Sequence, residues 1–199
     1  MSRAVLFVVS FIIPAGLFAQ AVAPGPADAF QVRYAANLNL GDSYIDISNA
    51  GTSSTGSICA NVYATDPNEE VISCCSCLVT PNALQSLSVE NDIIAGMHTL
   101  TAAKPASVVI NLLATVPVGG SCASSTFAPG PLASGLRAWG TTLHRLPSGG
   151  TASTETAFLP APLSAAELTH VVSFCNFIQF YGGYGICASC RSGGLAVTK

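Results

Sequence analysis

The chain has 199 residues, half of them apolar and only 9% charged, with a formal net charge of −3. Globular domains carry about 25% charged residues, so its polar surface rests on neutral groups, chiefly 22 Ser and 15 Thr. Seven Lys and Arg against ten acids leave no basic patch for a phosphate backbone, which excludes DNA and RNA as partners, and the apolar content excludes a disordered tail protein.

Met1-Ser2-Arg3 precedes an almost wholly apolar run, Ala4 to Ala19, that closes in Ala19-Gln20-Ala21. One basic residue, an apolar stretch short of the roughly 20 residues that span a bilayer, and a small-x-small ending predict a secretory signal peptide over residues 1–21. Loss of Arg3 takes the mature net charge from −3 to −4. The longest later apolar run, Ala106 to Val118, is interrupted by Asn111 and Pro117, so no membrane span is expected after cleavage. Residues 22–29, with Pro24, Gly25 and Pro26, read as an extended, mobile leader. Residues 30–199 are then a single β-rich domain.

From Phe30 onward short β-prone runs alternate with Gly, Pro, Asn, Asp and Ser clusters. The spacing predicts strands over Phe30–Leu40, Ser43–Asn49, Ser57–Thr65, Glu70–Val79, Leu84–Val89, Ala106–Val116, Leu136–Leu146 and Thr151–Leu159. Gly41-Asp42 suits a two-residue hairpin between the first two, Asp66-Pro67-Asn68 a turn between the third and fourth, and Pro147-Ser148-Gly149-Gly150 a turn between the last two. Ser164-Ala165-Ala166-Glu167 matches a capping box. Leu168, Val171, Val172, Cys175 and Ile178 follow at helical spacing, which predicts a helix over about 165–181 ended by Gly182 and Gly183. The expected fold is mainly β, a disulfide-stapled antiparallel β-sandwich with one C-terminal α-helix.

All eight cysteines, Cys59, Cys74, Cys75, Cys77, Cys122, Cys175, Cys187 and Cys190, lie beyond the predicted cleavage site. Thiols at this density in an exported chain oxidise, so they read as a disulfide framework. Eight cysteines allow 105 pairings. Two local expectations are that Cys59 pairs within the Cys74–Cys77 stretch across the Pro67 hairpin, and that Cys175 pairs with Cys187 or Cys190. The competing readings of the two C-x-x-C segments, Cys74 with Cys77 and Cys187 with Cys190, are a four-thiolate zinc site or a redox pair. Their 109-residue separation and the absent βαβ context favour structural bonds, so no metal or cofactor is expected.

No G-x-S-x-G, H-E-x-x-H, P-loop or dinucleotide fingerprint occurs. Gly51 to Ser57 has a phosphate-loop outline, but Ser57 stands where the lysine belongs. His98, His144 and His170 are scattered without a partner signature. Glu90 and Asp92 read either as an acid/base pair or as a polar turn, the turn being favoured by Asn91-Asp92. Asp66, Asn68 and Glu70 have calcium-loop spacing, but Val71 replaces the required Gly. Trp139, Tyr181 and Tyr184 are the ligand-binding candidates, as rings for stacking on a sugar or another flat ligand; the commoner use of the lone Trp is to fill a core.

Ile58-Cys59-Ala60-Asn61-Val62-Tyr63, the Cys74-Cys75-Ser76-Cys77 segment ahead of Val79-Thr80-Pro81-Asn82, and the C-terminal Gly185-Ile186-Cys187 to Gly193-Gly194-Leu195 are distinctive. In these blocks the chain resembles uncharacterised exported bacterial Cys-rich proteins. The resemblance implies secretion and a cysteine framework, and no activity.

The reading that follows is a non-enzymatic secreted or cell-surface structural or adhesive protein, located in the periplasm, at the cell surface or outside the cell. Its partners are further copies of itself, through addition of the Phe30–Leu40 strand to a neighbour's sheet, or an extracellular surface component. The alternatives are a secreted hydrolase with a loop-borne site near His144, Glu155 or Glu90, and a carbohydrate-binding module.

Overall fold

The computed structural model describes residues 25–98, 103–122, 130–183 and 185–191. The predicted signal peptide, residues 22–24 of the leader, Tyr184 and residues 192–199 lie outside them. In chain order the strands are β1 (Phe30–Ala35), β2 (Tyr44–Asn49), β3 (Ile58–Thr65), β4 (Val71–Val79), β5 (Leu84–Ser88), β6 (Val108–Thr115), β7 (Leu136–Arg145), β8 (Thr151–Ala157) and the two-residue β9 (Leu159–Pro160). A π-helical turn, Val89–Ile93, and a 3-10 turn, Ile94–Gly96, follow β5; helices α1 (Ala165–Phe180) and α2 (Ala188–Arg191) come last. One sheet runs β4-β3-β6-β1-β9, the other β5-β2-β7-β8, with every strand pair antiparallel.

All eight predicted strands form, and the sandwich with a helix toward the C-terminus is the observed architecture; the four-residue α2 is an addition. Asp66-Pro67-Asn68 joins β3 to β4 and Pro147–Gly150 joins β7 to β8 as hairpins. Gly41-Asp42 does not make a hairpin. β1 pairs with β6 and β9, whereas β2 pairs with β5 and β7 in the other sheet. The strand stops at Ala35, Asn37 takes a positive φ of 60°, and the Leu40 N–H donates to the Asn37 carbonyl, so the chain turns across the sandwich instead of back along it. The leader also ends in fixed structure: the Asp28 carboxylate accepts from the Gly135 N–H (2.9 Å) and from Arg137 Nη1 (2.8 Å), and Ala29 is buried.

The alternation of side chains along a strand explains the layers. On β6, Ile110, Leu112 and Ala114 face the second sheet and join Ile45, Ile47, Leu87 and Leu136 in one core. Leu113 faces the opposite way and joins Phe30, Tyr63, Val171, Cys175 and Ile178 in another. A strand covered on both faces needs apolar residues at consecutive positions. That is why β3, β4 and β6 are nearly unbroken apolar runs, buried along almost their whole length. α1 is the third layer, lying on the outer face of the first sheet. Its Ser164 N-cap forms as expected: the Glu167 N–H donates to Ser164 Oγ at 3.0 Å, while Val171, Val172, Cys175 and Ile178 supply the buried stripe.

Leu112 is fully buried between the sheets. Leu112→Ala should therefore lower stability by about 2–5 kcal/mol, read from the urea midpoint of the oxidised protein at an unchanged denaturant slope.

Candidate functional site

The chemistry-bearing residues are concentrated on β4 and its surroundings, where Cys74, Cys75 and Cys77 occupy one strand. Cys74 stands opposite Tyr63 on the helix side of the sheet, and Cys75 and Cys77 turn into the core between the sheets. Four disulfides result: Cys59–Cys122, Cys74–Cys175, Cys75–Cys187 and Cys77–Cys190, with Cα separations of 4.9–5.6 Å. Both local pairing expectations are corrected. Cys59 faces the helix side opposite Leu78, so Cys75 and Cys77 point away from it and Cys74 lies further along the ladder; its partner is Cys122. Cys175 descends from α1 onto the same face as Cys74. Cys187 and Cys190 reach the opposite face, because the chain has by then passed around the edge of β4.

That passage is hydrogen-bonded. The Ser76 N–H donates to the Gly185 carbonyl (3.2 Å), and the Cys187 N–H donates to the Ser76 carbonyl (3.3 Å). Beyond it, the buried Asp92 carboxylate accepts from the Ser88 and Ser189 N–H groups and from the Ser189 hydroxyl, which ties α2 to the π-helical turn. The zinc reading fails on parity: residues three apart on a strand face opposite sides, so Cys74 and Cys77 cannot chelate one ion. Cys77, Cys187 and Cys190 do bring their sulfurs within 4.8 Å of one another, yet all three are engaged in disulfides.

The remaining candidates occupy separate places. His144 Nε2 lies 2.8 Å from Thr154 Oγ1 on one face of the β7–β8 hairpin, and Glu155, opposite Thr141, lies on the other face. Glu90 pairs with Lys104 beside His98 in an open cleft of about 550 Å³. Glu90 and Asp92 are thus turn residues, not an acid/base pair. His170 is exposed on α1, edge-on to Phe174 with ring centroids 4.7 Å apart. Asp66 spends its carboxylate on its own turn, accepting from the Asn68 N–H, the Asn68 side-chain amide and the Glu70 N–H. The Gly51–Ser57 loop is a polar turn held by the buried Asn49, whose side chain donates to the Gly56 and Val79 carbonyls and accepts from the Gly51 N–H. Burial pushes the Tyr63 phenol up to about 12, leaving it a neutral core residue.

Trp139 is not core. Ala138 and Gly140 take the inward positions, so the indole stands on the solvent face of the second sheet, 37% exposed. Tyr44, overlooked in the sequence, is exposed on the same face; the alternation Tyr44-Ile45-Asp46-Ile47 was its signal. Tyr181 ends α1 on the far side of the sandwich and so cannot share a site with Trp139. It belongs instead to an aromatic ridge. Phe174, Phe177, Phe180 and Tyr181 are all exposed, Phe180 by 83%, and ring contacts link Phe177 to Tyr181 (4.6 Å) and Phe180 to Tyr181 (5.2 Å).

Comparison of the chain with protein-family models, with curated proteins and with solved structures finds no match. Four disulfides, and the absence among the described residues of a helix long and apolar enough to cross a membrane, are consistent with an extracytoplasmic protein.

The pairing is checked by thiol counting. Cys74→Ser combined with Cys175→Ser should leave no free thiol in the denatured, unreduced protein and lower stability by about 3 kcal/mol, because with Cys75–Cys187 intact the bond closes a loop of only about 15 residues. Two reactive thiols in that variant would show the partners to be different.

Proposed function

We propose that the protein is a non-enzymatic, exported structural or adhesive component that acts through its surfaces and associates with further copies of itself. The observation that carries this reading is the aromatic ridge on α1. A helix that is apolar all round is normally covered, and α1 buries one stripe against β4 while presenting three Phe and a Tyr to solvent. The Cys74–Cys175 bond fixes the helix to the sheet, so the ridge is displayed on a rigid support.

A second copy is the occupant that the chemistry favours. Between Ala165 and Tyr181 the only formal charge is Glu167, in the first turn. Two ridges packed antiparallel therefore bring no like charges together, and no basic residue on the helix draws it to an anionic lipid surface. Four aromatics exposed by 40–83%, at about 150–250 Å² each, bury roughly 350–600 Å² per copy, so a pair covers at most about 1,200 Å², the low end of specific interfaces. The association is accordingly weak and reversible. Strand addition through Phe30–Leu40 is the alternative route to self-association: β6 pairs along one edge of β1, while β9 pairs on the other only at Gln31 and Val32. The signal-peptide pattern of residues 1–21 and the oxidised cysteines support export.

Light scattering of the oxidised protein over a concentration series tests the proposal. A molar mass that rises with concentration, and that returns to the monomer when Phe174, Phe177 and Phe180 are all changed to Ser at unchanged thermal stability, is the expected result. A wild-type monomer throughout the series would refute it.

A second reading is carbohydrate binding on the solvent face of the second sheet. Trp139 and Tyr44 stand there with no ring packed on either among the described residues, beside Asp46, which accepts from the Ser86 hydroxyl. Retention on an insoluble neutral polysaccharide that falls at least tenfold in Trp139→Ala is the outcome this reading predicts in a sedimentation-depletion assay.

A further inference from the structure

Arg33 is a cation buried without a counter-ion among the described residues. It stands on β1 in the line Gln31, Arg33, Ala35 that faces the second sheet, and only 8% of it is exposed. Its guanidinium lies flat against β7 at Gly140, where an added Cβ would come within 2.8 Å of Cζ, Nε and Nη1. Glycine in mid-strand often marks a close approach, and here it makes the room the guanidinium occupies. Nε donates to Thr156 Oγ1 (3.1 Å) and Nη2 to Thr142 Oγ1 (2.7 Å). Nη1 is buried and has no hydrogen-bond partner among the described residues. Burial lowers the pKa of Arg33 from the usual arginine value, but an arginine remains charged at any physiological pH.

The residues around it supply donors and no acid. On the inward face of the β7–β8 hairpin, β7 presents Gly140, Thr142 and His144, and β8 presents Ala152, Thr154 and Thr156. Glu155, the one carboxylate in either strand, points to the opposite face. The two ion pairs among the described residues, Lys104–Glu90 and Arg137–Asp28, leave Arg33 aside. Because the Thr142 and Thr156 hydroxyls accept from the guanidinium, their own protons are free to be donated elsewhere. Thr154, Thr156 and His144 are exposed and Thr142 is half-buried, so the hydroxyls stand between solvent and the buried cation.

We propose that Arg33, Thr142 and Thr156 form a binding site for a small oxyanion, a carboxylate or a sulfate-type group, between β1 and the inward face of the β7–β8 hairpin. The anion supplies the charge that the fold omits. Its oxygens accept from the two hydroxyls and from Nη1, an arrangement in which each bond is charge-assisted or lies beside the cation. A neutral sugar would not satisfy Nη1 in the same way, so the site is separate in chemistry and place from the Trp139 face, and it does not depend on self-association.

The test is a titration of the oxidised, ¹⁵N-labelled protein with sodium sulfate and, in a second arm, sodium acetate, against sodium chloride at matched ionic strength. The expected result is a saturable shift of the Arg33 Nε–H resonance in at least one oxyanion arm and none in chloride. Thr142→Val with Thr156→Val should weaken that binding at least tenfold while leaving the charge in place. Arg33→Met should abolish the corresponding saturable shifts of the Gly140 and Thr142 amides. The two arms distinguish the sulfate-type from the carboxylate ligand. No saturable shift in either arm, equal shifts in the threonine variant, or a long-lived water seen by nuclear Overhauser effect at Nη1 in the presence of saturating anion would overturn the proposal. Should Arg33→Met fail to fold, the threonine pair still decides it.

Discussion

The alternating faces of β4 are the constraint from which the rest of the molecule follows. Three cysteines within four residues of an edge strand cannot all point one way, so the strand staples α1 to its outer face and the C-terminal segment to its inner face. The chain must then travel around the edge between them, and in doing so it hydrogen-bonds to Ser76 and covers that edge. Exposed edges invite pairing with other chains. The same clasp that crosslinks the fold therefore also closes one of its aggregation-prone margins. The bonds do not add as independent increments: Cys75–Cys187 and Cys77–Cys190 close nearly the same loop, with separations of 112 and 113 residues. Once one has formed, the other closes only a few residues and removes little further entropy.

With the framework fixed, the low charge content of the surface acquires a consequence. An ordinary exposed helix face carries charged and polar residues, and α1 carries aromatic rings there instead. The first sheet is thus covered twice over, by α1 on one side and the second sheet on the other, while α1 itself is left half covered. The second sheet is covered once, and its open face combines Ser, Thr and Asp46 with two rings. Three surfaces with different chemistry result: an apolar ridge, a flat polar-aromatic face, and the donor-lined hairpin over Arg33. Each is carried on strands or on a pinned helix, which holds its geometry more closely than a loop would.

Much of the fold is legible in the sequence because β periodicity and turn chemistry are local. The eight strands, the hairpins at Pro67 and Pro147–Gly150, and the Ser164 cap all depend on residues a few positions apart. The parts that are not legible depend on which face a residue takes and on which sheet a strand joins. Gly41-Asp42 has hairpin composition, but β1 finds β6, more than seventy residues away, and the local preference yields to that pairing. The cysteine partners follow from strand parity combined with the path of the C-terminal segment, and no spacing rule contains that path. Asp92 looks like a turn residue and is one, yet its second role, holding Ser189, arises only when the chain returns to it. Trp139 was readable in principle, since Ala138 and Gly140 on either side are the small residues of an inward line.

The β7–β8 hairpin shows how a buried charge can be retained in such a protein. β2 pairs with β7 only as far as Gly140, so Thr141–Arg145 and their β8 partners extend beyond the sandwich as a two-stranded ribbon. Ribbons of that kind are marginal by themselves, and this one has no apolar inner face to hold it down. What ties the hairpin to β1 and to the turn after it is polar: Arg33 on Thr142 in the ribbon and on Thr156 at its base, and Asn37 Nδ2 donating to the Leu143 carbonyl at 2.8 Å. Replacing Arg33 by an apolar residue would remove an uncompensated charge but also two of these three tethers. The bonds that anchor the ribbon are the ones that orient its hydroxyls outward, so the cost of burying the guanidinium and the capacity of the hairpin to receive an oxyanion come from one arrangement.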